Sequence, residues 1–282
     1  MPPTLAQRLQ EIAAILTRAG IDDPRREATL LLGHFLDLSP TELLLRGDEK
    51  IPAPAGLATA VERRAKREPL AYILGKTDFY DITLQVSPAV LVPRPETELL
   101  VEETLARIAN DRPSRWLDAG TGSGAIGIVL ARQRPQTTVI GIDASMAALK
   151  VAAGNQQRLT GHLRLLAADG RHLPFASHCF DGIVANLPYV AAADLIGLAP
   201  EVRDFEPRSA LDGGPRGVEL YLACLPEFHR VLRPGGHLLF EIGADQADIF
   251  RHHLTPAAGF EQAEIVRDYA GLPRIVRCRR CA

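Results

Sequence analysis

The chain has 282 residues, of which 46% are hydrophobic and 23% are charged. This length and composition predict a folded protein with one large α/β domain and a smaller one, and they exclude an intrinsically disordered chain. The 32 basic and 34 acidic residues give a net charge of −2, so the chain as a whole has no electrostatic attraction for nucleic acid. We find no signal-peptide pattern and no run of about 18 apolar residues. The sequence therefore predicts a cytoplasmic protein with no membrane partner and no stable nucleic-acid partner.

The four cysteines are Cys179, Cys224, Cys278 and Cys281. Two of them stand alone, which argues against a framework of disulfides in a chain of this length. Cys278 and Cys281 have the spacing of a metal or redox site, but they lack a second pair and a nearby histidine. We predict a frayed, reduced C-terminal tail and no metal site.

Apolar residues recur at helical spacing through the first 70 or so residues. The first helix has Leu5, Leu9, Ile12 and Leu16 on one face, and Asp23-Pro24 begins a second. Further helices are predicted from Ser39 and over residues 54–68. In the last helix, four basic side chains are expected to point outward, as a solvated face or as a surface for RNA: Arg63, Arg64, Lys66 and Arg67. The sequence thus predicts a small all-helical N-terminal domain over residues 1–74.

Residues 79–86 and 90–92 are rich in strand-forming side chains and predict a β-hairpin within a linker of residues 75–92. From Pro93 onward, strands and helices alternate. Strands are predicted at residues 116–118, 138–142, 163–167, 181–185, 237–242, 262–267 and 274–278. This alternation predicts an α/β domain over residues 93–282 with a doubly wound, Rossmann-like sheet that binds ligands at the carboxyl ends of its strands.

A glycine-rich turn connects the first strand of this domain to a helix. Its residues are Gly120, Thr121, Gly122, Ser123 and Gly124. Glycines let the backbone turn tightly and approach a ligand closely. Asp143 ends the next strand, where a carboxylate can accept hydrogen bonds from both hydroxyls of a ribose. These features predict a nucleoside-containing cofactor, either S-adenosylmethionine or a nicotinamide dinucleotide, because Gly122 to Gly127 also fit G-x-G-x-x-G.

Asp118 favours S-adenosylmethionine. A carboxylate at the mouth of the first strand would repel a pyrophosphate, whereas S-adenosylmethionine has no phosphate and carries an ammonium that an acid can help to hold. A second interpretation is that Asp118 only caps the turn. Asp169, after the third strand, is expected either to face the adenine amino group or to be a plain turn residue.

Asn186, Leu187, Pro188 and Tyr189 follow the fourth strand, opposite the glycine turn. An amide nitrogen is a poor nucleophile because its lone pair is delocalised into the carbonyl. The side-chain oxygen of Asn186 and the carbonyl of Leu187 or Pro188 can accept its two N–H groups and stabilise the positive charge that grows on it. Pro188 fixes the backbone, and Tyr189 offers a flat face for a planar substrate group. The alternative is a structural turn with a core tyrosine.

This tetrapeptide, after a glycine-turn core, resembles enzymes that methylate amino groups on planar systems. They include adenine-N6 methyltransferases acting on RNA or DNA and glutamine-N5 protein methyltransferases. Asn-Leu-Pro-Tyr is similar to the ribosomal RNA adenine dimethylases, whereas the glutamine enzymes usually carry Asn-Pro-Pro-Tyr. Residues 67–75, 93–98 and 206–214, together with the order of the domains, resemble the release factor glutamine methyltransferase family (PrmC/HemK).

The resemblance implies transfer of a methyl group from S-adenosylmethionine to the side-chain N5 of the glutamine in the Gly-Gly-Gln loop of class 1 peptide-chain release factors. It implies that Gly120 to Gly124, Asp143 and Asn186 bind the cofactor. It also implies that Asn186 to Tyr189 bind the glutamine, with Asn186, Pro188 and Tyr189 as the catalytic residues. The family often has a tryptophan after the acid of the third strand. Here Gly170 follows Asp169, so the contact to the cofactor is expected from the Gly170 backbone.

Overall fold

The computed structural model describes residues 2–159 and 162–282. Its α-helices are α1 (Leu5–Arg18), α2 (Pro24–Leu36), α3 (Pro40–Leu45), α4 (Leu57–Ala65), α5 (Leu70–Leu74), α6 (Glu96–Leu105), α7 (Ala125–Gln133), α8 (Met146–Leu159), α9 (Pro200–Phe205), α10 (Glu219–Val231) and α11 (Ala247–His253). Its strands are β1 (Lys76–Phe79), β2 (Ile82–Gln85), β3 (Ser114–Ala119), β4 (Thr137–Asp143), β5 (Arg164–Ala167), β6 (Phe180–Ala185), β7 (Leu232–Glu241), β8 (Glu264–Arg267) and β9 (Pro273–Arg279). Within these described ranges, no helix is both long and apolar enough to cross a membrane.

The chain forms two compact units. The first unit comprises the chain up to Gly75 together with Ala199–Phe205, which contains α9. The second comprises Lys76–Leu198 and Glu206–Ala282. The first unit is therefore built from two separate stretches of sequence.

The helices of the first unit start where side chains can accept the free backbone N–H groups of the first turn. Thr4 and Gln7 form a capping box at α1, and Ser39 and Glu42 form another at α3, each of which satisfies two otherwise unpaired donors. The apolar faces of α1, α2 and α4 then meet in one core, which includes Leu16, Leu31 and Leu32. The predicted helical pattern of this region is confirmed, and α5 is an additional short helix.

The basic face predicted for α4 is wrong at Arg64. This side chain is only 5% exposed, and its guanidinium pairs with Glu27 of α2 at 2.5 Å and with Glu201 of α9 at 3.0 Å. Arg67 also pairs with Glu201, at 2.8 Å. Burying a guanidinium is tolerated only where carboxylates compensate its charge, and both carboxylates come from helices distant in sequence.

The β-hairpin differs from its predicted form. Its strands are β1 and β2, paired antiparallel with Phe79 opposite Ile82, so the turn lies at Tyr80 and Asp81. Tyr80 adopts a left-handed φ of 56°, and its N–H donates to the Glu98 carboxylate at 2.9 Å. Because this turn lacks the glycine that usually marks a two-residue hairpin turn, the sequence did not reveal it. The strand predicted over residues 90–92 is absent from the structure.

The second unit contains a seven-stranded sheet in the order β5-β4-β3-β6-β7-β9-β8. The strands β3 to β7 run parallel, and β9 is antiparallel to both β7 and β8. From β3 the chain builds outward through β4 and β5, then returns to place β6 on the other side of β3. The predicted α/β, Rossmann-like class is confirmed, with an antiparallel pair at one end of the sheet.

The C-terminal tail is not frayed. Cys278 lies in β9 and is buried in the core of the second unit. The backbone N–H of Arg280 donates to Gly236, and that of Cys281 donates to Gly259. These bonds hold the last residues against the sheet, so this part of the prediction is wrong. All four cysteines are free thiols.

The core of the sheet depends on a close approach between neighbouring strands. Trp116 of β3 is buried opposite Gly182 of β6. A Cβ atom at Gly182 would lie 2.5 Å from two ring carbons of Trp116, which is closer than van der Waals contact allows. The glycine therefore leaves the space that the indole fills.

We expect Gly182→Ala to lower the free energy of unfolding by about 1–3 kcal/mol, because an added methyl overpacks this contact. Urea unfolding followed by the fluorescence of Trp116, the only tryptophan in the chain, measures the change. Gly197→Ala is the matched control, since a Cβ there meets no atom within 4 Å. Equal stability of the two variants would contradict this account of the core.

Candidate active site

The site lies where the strand order reverses, at the carboxyl ends of β3 and β6. Ala119, the last residue of β3, pairs with Ala185, the last residue of β6. The glycine turn and Asn186 follow these two residues directly, so they are neighbours. Open α/β sheets bind ligands at such a reversal.

The glycine turn has three residues in the left-handed region of the backbone. The φ angles are 75° at Gly120, 57° at Gly122 and 85° at Gly124, a conformation that is costly for residues with a Cβ. At Gly120 there is also no room, because a Cβ would lie 2.7 Å from the side chain of Leu187. The turn thus needs glycine for its backbone and for its packing against the tetrapeptide.

Asp118, a buried residue of β3, stabilises this turn. Its Oδ2 accepts a hydrogen bond from the Thr121 hydroxyl at 2.6 Å and one from the Gly127 N–H in the first turns of α7 at 3.0 Å. The residue is fully buried and does not line the cavity at the turn. Burial raises the pKa of Asp118 to about 6. The predicted contact with an ammonium group is therefore not formed from this position, and the capping interpretation of Asp118 is the one the structure supports.

A cavity of about 290 Å³ opens above the turn. Asp143, at the end of β4, lines it and is held by two backbone N–H groups, from Gly122 at 3.0 Å and from Ser145 at 2.8 Å. The cavity lining includes the predicted cofactor residues Gly120, Thr121, Gly122, Ser123, Asp143, Gly170 and Asn186. The structure therefore brings these residues together around one space, while Gly124 caps α7 at its edge.

Gly170 lines the cavity beside Cys224. A Cβ at Gly170 would lie 3.0 Å from the Cys224 sulfur, so the glycine lets this wall close tightly. The neighbouring Asp169 carboxylate is bound by the Arg171 guanidinium at 2.6 Å, and this bond lowers the pKa of Asp169 to about 2. Asp169 is engaged within its own turn and also lines the cavity, so both interpretations of this residue remain predictions.

Asn186 is held by its amide nitrogen. The Nδ2 group donates to the Thr97 hydroxyl and to Oε2 of Glu241, both at 3.1 Å. Its Oδ1 accepts no hydrogen bond from any residue in the described ranges. Since Asn186 lines the cavity, this oxygen is available to a ligand.

The rest of the tetrapeptide is fixed by different contacts. The Leu187 N–H donates to the Tyr221 hydroxyl at 2.9 Å, and Leu187 and Pro188 line the cavity. Tyr189 lies behind them and is not among the cavity-lining residues. Its hydroxyl donates to Oε1 of Glu241 at 2.8 Å, and its pKa is raised well above the usual range by burial and by that carboxylate.

Thr97 and Glu241 were not predicted from the sequence to belong to the site. Glu241 is the last residue of β7 and is 1% exposed. A usable signal was present, because Glu241 interrupts the apolar run Leu238-Leu239-Phe240-Ile242 at the ligand-binding end of the sheet. The structure also joins two of the motifs that carried the family resemblance, since Arg94 pairs with the buried Glu206 at 2.7 Å.

Comparisons with known proteins agree with this architecture. The family model of the PrmC N-terminal domain matches residues 7–75, and a model of a methyltransferase domain matches residues 110–262. The chain is 40% identical over 274 residues to the release factor glutamine methyltransferase of Moorella thermoacetica, covering 96% of each chain. It is 38% identical over 285 residues to that of Nitratidesulfovibrio vulgaris, covering 98% of this chain and 95% of the relative. A methyltransferase structure from Pyrococcus furiosus, 17% identical, shares the fold with a TM-score of 0.54 over 78% of this chain and 98% of its own.

The protein is an S-adenosylmethionine-dependent methyltransferase. The cavity suits this cofactor, because Gly120 and Gly122 add no side chain to the cavity wall and Asp143 presents carboxylate oxygens that suit the hydroxyls of a ribose. Small side chains such as Ala168 and Ala148 provide apolar walls for a base.

We expect Asp143→Ala to weaken the binding of S-adenosylhomocysteine by about 1.5–3 kcal/mol, as for the loss of a hydrogen bond to a charged group. Isothermal titration calorimetry measures this affinity. Asp248→Ala removes an equal charge from a side chain that is 90% exposed and should bind like the parent protein. Unchanged affinity of the Asp143 variant would contradict the assignment, as would binding of NADH in place of the homocysteine analogue.

Proposed function

Because the chain belongs to the release factor glutamine methyltransferase family, we propose that it methylates the side-chain N5 of the glutamine in the Gly-Gly-Gln loop of class 1 peptide-chain release factors. The observation that carries this proposal is the orientation of Asn186. Its amide nitrogen is engaged inside the protein by Thr97 and Glu241, so its oxygen remains available in a methyltransferase cavity.

The substrate explains why an acceptor is needed. The lone pair of a glutamine amide nitrogen is conjugated with the carbonyl and must leave that conjugation to attack a methyl carbon. Two acceptors that bind its two N–H groups hold the nitrogen in position and stabilise the positive charge that develops on it. Once the new N–C bond has formed, the nitrogen carries a positive charge, and it becomes neutral by losing one of these protons to solvent water.

The tetrapeptide supplies the acceptors. Asn186 provides Oδ1, and the backbone carbonyls of Leu187 and Pro188 accept no hydrogen bond from a described residue. We therefore assign Asn186 and Pro188 to catalysis and Leu187 to substrate binding through its backbone. At position 187 this chain has leucine where the glutamine enzymes usually have proline. Leucine fits here, because its side chain packs against Gly120 and its N–H donates a hydrogen bond to the Tyr221 hydroxyl.

Tyr189 completes the proposed substrate site. Its hydroxyl is anchored to Glu241, which fixes the plane of the ring next to Pro188. This anchored ring packs behind Leu187 and Pro188, which line the cavity, so Tyr189 contributes to the substrate site by holding these two residues in place.

The proposed cofactor residues are Gly120 to Gly124, Asp143, Gly170 and Asn186. When bound, S-adenosylmethionine supplies the methyl group on a sulfonium, and the electron pair of the broken bond goes to sulfur. The chain holds the ribose at Asp143 and excludes water with Leu187, Leu220 and Ala210, which line the cavity. These residues orient the methyl donor and do not take part in bond changes.

The proposed partner is an intact release factor in the cytoplasm. A single inserted amide gives little binding energy, so contacts remote from the reacting atoms must orient it. The first unit provides additional protein surface for such contacts. With a net charge of −2, the chain has little phosphate-driven affinity that would favour RNA as a substrate.

We expect Asn186→Ala to lower kcat by about 10²–10³-fold, the usual effect of removing one preorganised polar group from a transition state. Affinity for S-adenosylhomocysteine should fall much less. Steady-state kinetics and calorimetry separate the two effects. Asn110→Ala, at an exposed loop position, is the control. Near-normal turnover by the Asn186 variant would show that the tetrapeptide is only structural.

The substrate is tested by offering labelled cofactor with four acceptors: a release factor, its Gln→Ala variant in the Gly-Gly-Gln loop, a short peptide of that loop and undermethylated ribosomal RNA. We expect label in the intact factor, little in the peptide, and none in the Gln→Ala factor. Label in the RNA, or undiminished label in the Gln→Ala factor, would refute the proposed substrate. Mass spectrometry of the modified residue then identifies the methylated atom.

A further inference from the structure

Glu241 is a buried carboxylate at the centre of the tetrapeptide's contacts. Oε2 accepts from the Thr97 hydroxyl at 2.7 Å and from Asn186 Nδ2 at 3.1 Å, and Oε1 accepts from the Tyr189 hydroxyl at 2.8 Å. It does not line the cavity. It therefore contacts two residues of the proposed substrate site without being able to reach the substrate itself.

These contacts fix the orientation of the Asn186 amide. Because Thr97 uses its only hydroxyl hydrogen on Glu241, its oxygen is left as an acceptor for Asn186. An ionised carboxylate is also only an acceptor. Asn186 thus meets two acceptors on one side, and a flipped amide would place its oxygen against both of them. The NH₂ end must face Glu241, and the oxygen must face the cavity.

The charge of Glu241 also acts on the Asn186 oxygen. An amide that donates to an anion is polarised, so its carbonyl oxygen carries more negative charge and accepts more strongly. A positive charge developing on a bound nitrogen would then be stabilised through Asn186 by a carboxylate that never touches it. This effect is largest where water is excluded, as it is around a residue that is 1% exposed.

We propose that Glu241 is a positioning residue for methyl transfer, which orients and polarises Asn186 through Nδ2 and anchors the Tyr189 ring through its hydroxyl. The proposal rests on the function proposed above, since it requires Asn186 to accept from the substrate. It assigns a role in turnover to a side chain outside the cavity.

The surroundings of Glu241 give its charge a pH dependence. Burial raises the pKa of Glu241 above the ordinary glutamate range, while the hydrogen bonds from Thr97 and Tyr189 and the charge of Arg274 on β9 oppose the rise. The negative charge of Glu96 on α6 acts in the opposite direction to Arg274 and favours protonation. A protonated Glu241 has an O–H in place of one acceptor. Activity should therefore fall as the pH drops through this raised pKa.

The test is Glu241→Gln, which keeps the shape and removes the charge. We expect kcat for methylation of a release factor to fall by about 10- to 100-fold, the equivalent of one charge-assisted hydrogen bond. The KM values and the affinity for S-adenosylhomocysteine should change by less than about threefold, since the residue touches neither ligand. The acid limb that we expect in the kcat profile of the parent enzyme should be absent from the variant.

A double-mutant cycle separates positioning from general damage. If Glu241 acts mainly through Asn186, Glu241→Gln should cost little further activity in an Asn186→Ala background. Thr97→Val removes the bridging hydroxyl while keeping the volume, and Thr97→Ser should restore activity. Glu264→Gln, an exposed acid in the same sheet, is the matched control. Thermal melting identifies variants that fail to fold. If Glu241→Gln fails to fold, the comparison of Thr97→Val with Thr97→Ser tests the positioning role in its place.

Each outcome has one meaning. Full activity of Glu241→Gln would overturn the positioning role as a whole, and an undiminished loss in the Asn186→Ala background would overturn the action of Glu241 through Asn186. A parent enzyme that labels no release factor glutamine would overturn the proposed function, independently of Glu241.

Discussion

The pairing of β3 with β6 is the constraint on which the rest of the site depends. The two strands are distant in sequence, yet their register places Ala119 beside Ala185, so the glycine turn and the tetrapeptide leave the sheet as neighbours. Gly182 keeps this pairing tight by making room for Trp116. A shift of one residue in this register would turn every side chain of β6 to the other face and would separate Leu187 from Gly120.

Buried carboxylates shape both halves of the site. Asp118 holds the glycine turn through Thr121 and Gly127, and Glu241 holds the tetrapeptide through Asn186 and Tyr189. Neither lines the cavity. Each is a costly group to bury; Glu241 is hydrogen-bonded through both carboxylate oxygens, whereas Asp118 is hydrogen-bonded through Oδ2 only, and its buried Oδ1 has no partner among the described residues. The cofactor side and the substrate side are thus built in the same way. A buried carboxylate fixes the backbone of the glycine turn on one side and the amide of Asn186 on the other.

Much of the fold and the site could be predicted from local sequence patterns. The alternation of strands and helices, the glycine turn and Asn186 each carry a signal within a few residues, because they depend on backbone conformation and on position at a strand end. Asp118, Arg64 and Glu241 were misread or missed for a common reason. Their roles depend on partners far away in the chain, and a charged residue in a sequence does not reveal whether a carboxylate or a hydroxyl will reach it. The hairpin turn at Tyr80 was missed because a non-glycine residue adopts a left-handed φ there.

The ion pairs of Arg64 have a consequence for the order in which the chain folds during synthesis. Glu201 follows Arg64 by 137 residues, and at ordinary rates of translation this separation corresponds to roughly ten seconds or more. Until Glu201 leaves the ribosome, the nascent helices of the first unit have Glu27 but not the second carboxylate for a guanidinium that they must bury. Completion of the N-terminal unit is therefore delayed until β3 to β6 have also been made, and its final stability is gained only after most of the methyltransferase sheet has been translated.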